Sequence, residues 1–575
     1  MRVIVVPAWS ANLTPNRWDL VALPAVLGLV ALLAYGANQM AVPFVLGDPI
    51  EITLDPTYLP YYALRTTLRM GAALIWSFVF TLVYATLAAK NRRAGLVLVP
   101  ILDVLQSVPI LGYISFTVTG FVAMFPGSLL GVEMAAIFAI FTSQAWNMTF
   151  SLYQALRTLP SDLVEAATLF RLSGWQKFWR LELPFAAPGL IWNTMMSVSG
   201  GWFFVVASEA ITVGEKKMTL PGIGSYVALA IEQRNLGAVG WAVLAMFIVI
   251  LLYDQLLFRP MVAWADKFKV EQSPGIAPRS WVRQLFQRTH LLRQVSFAVG
   301  WLLRLAFALG PATRATAKPR RPRPPIVETW IDRVYYATLV IAALAAAAWM
   351  LNGIETALGW AEVGHVAVLG LITGVRVVVL IALATLVWVP AGVYIGLRPR
   401  LTERVQPLVQ FLAAFPANLL FPVAVVGIVS FHLDPNIWLS PLMIFGSMWY
   451  VLFNVVAGAS AFPSDLKDAA ANLGLSGWQW WRRVMLPAIF PYFVTGAITA
   501  SGGSWNASVV AESVSWGDTS IAAVGLGAYI AEWTEKGEYA RIALGVGMLS
   551  LFVVAFNRLF WRPLYALAER RYRMD

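Results

Sequence analysis

A chain of 575 residues that is 59% hydrophobic and 13% charged, with 25 tryptophans, carries more apolar surface than a water-soluble core of its size can hide. It has no cysteine, which excludes disulfides and thiolate metal sites, and its three histidines, His290, His365 and His432, stand too far apart in sequence to suggest a metal centre. The net charge of +12 does not argue for nucleic acid as a partner, because its placement follows the loops between apolar runs.

Apolar runs of about 20 residues or more, the length that crosses about 30 Å of hydrocarbon as helix, recur along the sequence. Twelve are found: 20–40, 66–89, 95–124, 131–156, 186–211 and 237–258 in the first half, then 332–357, 364–397, 406–430, 437–460, 488–513 and 539–561 in the second. The expected fold is all-α and polytopic, with about twelve transmembrane helices. Arg2 and Arg17 precede the first run as in a signal peptide, but 332–357 takes the same place in the second half, so the first run is expected to be a retained helix. Lys90, Arg92 and Arg93 follow the second run, Arg398, Arg400 and Arg404 the eighth, and Arg558, Arg562, Arg570, Arg571 and Arg573 close the sequence. The opposite loops hold Asp48, Glu51, Asp55, Glu355, Glu362 and Asp434. This positive-inside distribution places both termini in the cytoplasm.

The halves repeat. At an offset of 303, Pro160 matches Pro463, Trp202 matches Trp505, Glu209 matches Glu512, and Gly222, Gly224 and Tyr226 match Gly525, Gly527 and Tyr529. Upstream the offset is 307, pairing Arg69 with Arg376, Pro100 with Pro407 and Pro109 with Pro416. An internal duplication follows. Six crossings separate equivalent positions, so the two six-helix repeats are parallel. The expected domains are 1–261 and 329–575, both membrane-spanning, joined by a basic bridge at 262–328. KPRRPRPP at 318–325 reads as a stiff cytoplasmic spacer, and the Arg- and Trp-rich segment beginning SWVRQLFQR at 280 reads as a helix lying on membrane lipid.

The polar stretch EAATLFRLSGWQKFWRLELP at 165–184 returns as DAAANLGLSGWQWWRRVMLP at 468–487 with 10 of 20 positions identical. Ser161 or Asp162 is expected to cap a short helix, and Pro463-Ser464-Asp465 repeats the signal. Gly174 and Gly477 are expected to end or bend that helix, and Ala166-Ala167 and Ala469-Ala470 to keep one face small. Each half thus exposes a helix–Gly–helix elbow to the cytoplasm.

Glu-Ala-Ala, Gly seven positions after the second Ala and Leu-Pro ending ten further on resembles the EAA loop of permease subunits of binding-protein-dependent ABC importers. The second copy departs only by Asp468 for Glu. The resemblance covers roughly 65–260 and 365–563, and GWFFVVASEAITVG with LPGIGSYV looks most like the nitrate/taurine, sulfonate and bicarbonate branch, here as a fused pair. It implies a permease that couples a translocation pathway to ATP hydrolysis, with Glu165, Ala166, Ala167, Gly174, Asp468, Ala469, Ala470 and Gly477 docking two copies of a cytoplasmic ATPase. The chain has no GxxxxGK[ST] loop, so it is expected not to be an enzyme: ATP and Mg would sit on the partner. An extracytoplasmic solute-binding protein and a bacterial cytoplasmic (inner) membrane location are implied likewise, with a small anion as solute.

Candidates for the pathway lie on the fifth helix of each half: Ser197, Ser199, Trp202 and Glu209, with Ser501, Ser504, Trp505, Asn506 and Glu512. Small residues there equally serve close helix packing. Arg69 and Arg376 are candidates for attracting an anion, though near a helix end a long side chain reaches water or a headgroup. An ion-driven secondary transporter with internal repeats is the alternative; it calls for paired mid-membrane acids, and only Asp103, whose counterpart is Gln410, comes close.

Overall fold

A computed structural model describes residues 16–44, 50–110, 114–213, 216–268, 280–289 and 325–572. Arg2, Asp48, His290, Arg573 and most of the bridge, including nearly all of its Pro-rich end, lie outside these residues.

The first half runs α1 (Asp19–Asn38), α2 (Leu59–Lys90), α3 (Arg92–Ser107), α4 (Ile114–Met124), α5 (Leu130–Arg157), α6 (Ser161–Leu169), α7 (Leu183–Glu209), β1 (Ala210–Val213), β2 (Lys216–Thr219), α8 (Ile223–Glu232), α9 (Leu236–Tyr253) and α10 (Arg259–Ala265). α11 (Trp281–Arg288) belongs to the bridge. The second half repeats the order, except that short helical segments at Pro435–Trp438 and Ser440–Phe445 precede α16 where the first half has the single helix α5: α12 (Pro325–Ala357), α13 (Trp360–Gly396), α14 (Pro399–Ala414), α15 (Phe421–Ser430), α16 (Met448–Ser460), α17 (Ser464–Asn472), α18 (Leu486–Ala511), β3 (Ser513–Trp516), β4 (Thr519–Ala522), α19 (Leu526–Lys536), α20 (Tyr539–Phe556) and α21 (Arg562–Tyr572). Even irregularities recur 303 residues apart: π-helical segments at Phe178–Glu182 and Trp481–Met485, and again at Asp254–Phe258 and Asn557–Trp561.

Among the described residues helix makes up most of each of the twelve apolar runs, but 95–124 holds both α3 and α4, and 406–430 and 437–460, each expected as one helix, are bent pairs, the latter by 45° between Phe445 and Met448. Among the described residues, seven helices are long and apolar enough to cross a membrane, or nine if each of two bent pairs is one span. Among the described residues the fold is all-α apart from two antiparallel hairpins, which pair Ala210 with Thr219 and Ser513 with Ala522, and an isolated bridge between Pro43 and Ser128.

The run 406–430, expected as one helix, bends by 80°. Proline is the cause: Pro416 lacks an N–H and forces Phe415 out of the helical region, to φ −71°, ψ 129°. Val108, before Pro109, is held at φ −77°, ψ 125°, so α3 ends at the matching place.

By packing, the chain forms two compact units, residues 1–39, 150–195 and 251–322 in one and residues 40–149, 196–250 and 323–575 in the other. In the first, the Trp18 ring lies beneath the guanidinium groups of Arg17 and Arg288, at 5.7 and 5.2 Å, and the Asn16 amide donates to the Arg288 carbonyl at 2.7 Å. The bridge helix α11 turns Val282 inward and leaves Trp281 and Phe286 exposed, the amphipathic character its sequence announces. In the second unit a continuous apolar core runs from Val377 on α13 through Trp505 on α18 to Leu526 and Leu549 on α19 and α20.

Candidate functional site

The elbows come first. Pro160 and Pro463, extended at ψ 138° and 136°, occupy the cap positions themselves, so Ser161 and Ser464 are the first helical residues of α6 and α17 rather than their caps. Asp162 and Asp465 then lie in the first turn, where the helix dipole favours a carboxylate. Nor does Gly174 end the short helix. α6 stops at Leu169, and the reversal is made by Arg171 at φ +48°, whose counterpart Gly474 has φ +65°. Ser173 caps the next turn, accepting from the Gln176 N–H while the Gln176 side chain accepts from the Ser173 N–H, both at 3.2 Å, so Gly174 begins a helical turn. Gly477 opens the matching turn and is itself left-handed, at φ +55°.

Each elbow presents both charge and apolar surface. Glu165 and Asp468 are exposed, beside Leu169 (82% exposed) and Phe170 (78%) on one elbow and Leu473 (75%) and Trp478 (71%) on the other. Ala469, Gly174 and Gly477 are exposed and Ala166 is half-buried, whereas Ala167 and Ala470 are buried, seating each elbow on its own chain.

A second repeated constellation lies at the far end of the fifth helices. Glu209, the last residue of α7, is fully buried and accepts hydrogen bonds at 2.7 Å from the Thr66 hydroxyl, the Arg69 guanidinium and the Gly224 N–H. Glu512 accepts likewise from Thr373 at 2.8 Å, Arg376 at 3.0 Å and the Gly527 N–H at 2.7 Å. The two threonines accept in turn from the Ile223 and Leu526 N–H groups, at 3.0 and 2.9 Å. Each carboxylate therefore ties α2 or α13 to the start of α8 or α19, filling the orphan donors of a helix N-terminus.

The repeated Gly-x-Gly follows from this. A Cβ at Gly222 or Gly525 would stand 2.3 Å from the carboxylate, and one at Gly224 or Gly527 would stand 2.2 or 2.3 Å from the carbonyl of Val206 or Ser508.

Arg69 does not reach water or a headgroup: it is fully buried, held by Glu133 at 2.6 and 2.8 Å as well as by Glu209, because α5 supplies a second carboxylate at its level. Arg376 is 12% exposed, and its other contact is the neutral Asn436, at 3.3 Å. Arg65, which also pairs with Glu133, has Ile372 as its counterpart, so one positive and one negative charge are both absent from the second site and each remains balanced. Sequence reasoning passed over Thr66, Thr373, Arg65 and Glu133; the Thr-x-x-Arg spacing, repeated at 66/69 and 373/376, was the available signal.

On the fifth helices Ser197, Ser199, Ser501 and Ser504 are buried, and Trp202 and Trp505 are each 2% exposed. Ser197 accepts from Asn147 at 3.3 Å, and Ser504 shares a hydrogen bond with Ser447 at 3.3 Å. A Cβ at Gly201 would lie 3.2 Å from Gln144 and Met70, and one at Gly503 2.6 Å from Ser447, so these two glycines serve close packing. Around Gly502 there is open space.

Fold and sites together define a multi-pass membrane protein made of two copies of one helical module, each with an exposed elbow and a buried carboxylate lock. The chain belongs to the family of binding-protein-dependent transport system inner membrane components, whose pattern matches residues 78–259 and again 388–572. It is similar to the bicarbonate transport system permease protein CmpB of Synechococcus elongatus, 30% identical over 166 residues, 29% of this chain and 56% of that one. The nitrate import permease protein NrtB of Leptolyngbya laminosa is 26% identical over 184 residues, 32% of this chain and 62% of that one. The glycine betaine/carnitine transport permease protein GbuB of Listeria monocytogenes is 28% identical over 170 residues, 29% and 54%. The chain thus spans little more than half the length of these relatives.

Proposed function

We propose that this chain is the membrane-spanning component of an ABC importer, its two halves at 1–261 and 329–575 together forming the translocation pathway. The exposed elbows carry this reading: Leu169, Phe170, Leu473 and Trp478 would be costly in water, and a cytoplasmic ATPase surface covering them removes that cost. Two elbows on one chain call for two ATPase copies, which bind ATP and Mg. Glu165 and Asp468, with Ala166, Ala469, Gly174 and Gly477, form the docking faces, while Ala167 and Ala470 hold each elbow in place.

Each elbow leads through a π-helical segment into a fifth helix, so drawing the elbows together swings α7 and α18, the walls of the pathway. The positive-inside charge pattern supports a cytoplasmic position for both termini, with a separate binding protein delivering the solute on the other side. Bicarbonate or nitrate is the solute class, supported by the names of the relatives with 30% and 26% identity. The duplicated fifth-helix set Ser197, Ser199, Ser501, Ser504 and Asn506 supplies the polar groups nearest that path. Arg69, Arg376, Glu209 and Glu512 act on it indirectly, by fixing the helices that end it.

The test is to purify the chain from its native membrane and look for an accompanying nucleotide-binding subunit. Replacing Glu165 and Asp468 together by Arg is expected to release that subunit while the chain stays folded. Retention of the subunit on the double variant rejects the docking assignment.

A further inference from the structure

Two hydrogen bonds cross between the halves, the second within one residue of the position that the repeat would give it. The N–H of Ile110, freed where α3 ends at Val108-Pro109, donates at 3.1 Å to the side-chain carbonyl of Asn506 on the second half's α18. The Asn418 amide, in the break after Phe415-Pro416, donates at 3.2 Å to the backbone carbonyl of Phe203 on the first half's α7. Residue 110 corresponds to 417 at the offset of 307, and 203 to 506 at the offset of 303. Each broken helix therefore rests on the other half's fifth helix at the same level, 20 residues beyond Leu183 and Leu486, about 30 Å along each helix from the elbow end. Val108, Phe203 and Phe204 pack around the crossing against the core of the second half, making the surroundings apolar.

Irregular backbone within a membrane persists only where it is buried in protein or lines a polar path. Here a break occurs in each half, and beside each one a donor, the Ile110 N–H or the Asn418 side-chain amide, is taken up by the opposite half. We propose that this crossed pair is the latch of a gate across the pathway, closed in this structure. Because both bonds span the two halves, any motion that parts α7 from α18 breaks them together and frees the Ile110 and Asn418 N–H groups. A small solute rich in acceptor oxygens, such as an oxyanion, takes their place. Open space beside Gly502, one turn from Asn506, gives it room. The inference rests on the transport reading and adds to it where the gate lies.

The absence of native cysteine makes the test direct. Two double variants of the full chain with its partners, Ile110→Cys with Asn506→Cys and Phe203→Cys with Asn418→Cys, are oxidised in native membrane vesicles. Linkage of the halves is read after cleavage at a protease site placed in the bridge. Without nucleotide both pairs are expected to crosslink; with ATP and vanadate the yield is expected to fall at least fivefold. Should the pairs fail to fold, Gly502→Cys, which meets no neighbour, is expected to react with N-ethylmaleimide at least fivefold faster under ATP and vanadate. Yields or labelling rates equal in the two states overturn the gate, in vesicles that still take up bicarbonate or nitrate. If the unmodified vesicles take up neither anion and no ATPase accompanies the chain, the transport reading falls and takes the gate with it.

Discussion

Glu209 and Glu512 end their helices inside protein, where a bare carboxylate would cost several kcal/mol, and each avoids that cost by accepting from a threonine, an arginine and a backbone N–H. In the first half the Arg65–Glu133 pair adds two charges that the second half replaces with Ile372 and Asn436. Removing either member leaves the buried cluster of Arg65, Arg69, Glu133 and Glu209 with one unbalanced charge. Arg65→Ile and Glu133→Asn are therefore each expected to destabilise the purified chain by about 3–5 kcal/mol. The double variant, which copies the second half, is expected to cost well under the sum, and thermal unfolding in detergent measures both. A second prediction concerns space. Gly224→Ala and Gly527→Ala push a Cβ to within 2.2 and 2.3 Å of a backbone oxygen and are expected to cost about 1–3 kcal/mol, while Gly502→Ala, with nothing within 4 Å, is expected to stay within about 0.5 kcal/mol. Equal losses at the three glycines in the same assay would remove the close-approach account.

Among the elements, the elbow shows how one backbone is built from two sequences. Its reversal needs a left-handed residue, which Gly474 supplies without strain and Arg171 does not. Arg171→Gly is expected to leave stability unchanged or raise it by up to about 1 kcal/mol, and Gly474→Arg to lower it by about 1–2 kcal/mol. Unfolding temperature checks the pair. The elbow and the long helices were legible in the sequence, because apolar runs and a repeated polar stretch are local signals. The breaks were not: Pro100, Pro188, Pro390 and Pro491 lie inside continuous helices while Pro109 and Pro416 mark breaks, so proline alone does not decide. The lock was half legible. Glu209, Gly222, Gly224 and Arg69 showed as repeats, but their meeting depends on α2 and α7 coming together across 140 residues of chain, which periodicity does not report.

At the scale of the molecule, the duplication is not symmetric, and the differences hold the halves to each other. Arg259 pairs within its half with Asp254 at 3.0 Å; its counterpart Arg562 faces Asn557 in sequence and instead pairs with Asp103 of the first half. Asp332 on α12 takes Arg93 at 3.0 Å, and the Tyr335 hydroxyl donates to the Arg93 carbonyl at 3.3 Å. Further along, the Phe247 and Phe411 rings meet at 4.8 Å, and the Gly517 N–H donates to the Ile231 carbonyl at 2.9 Å. Exposed ion pairs of this kind contribute about 0–1 kcal/mol each, so no single one holds the assembly, but they lie on top of shared apolar burial. The halves are therefore expected to remain together without a covalent link. Expressing residues 1–300 and 301–575 as separate chains, with a tag on the first, should recover the second in near-equal amount from detergent extracts, and Asp103→Asn should leave that recovery unchanged. Loss of the second piece from the uncharged-detergent extract would mean that the bridge, rather than the interface between the repeats, keeps the two halves in register.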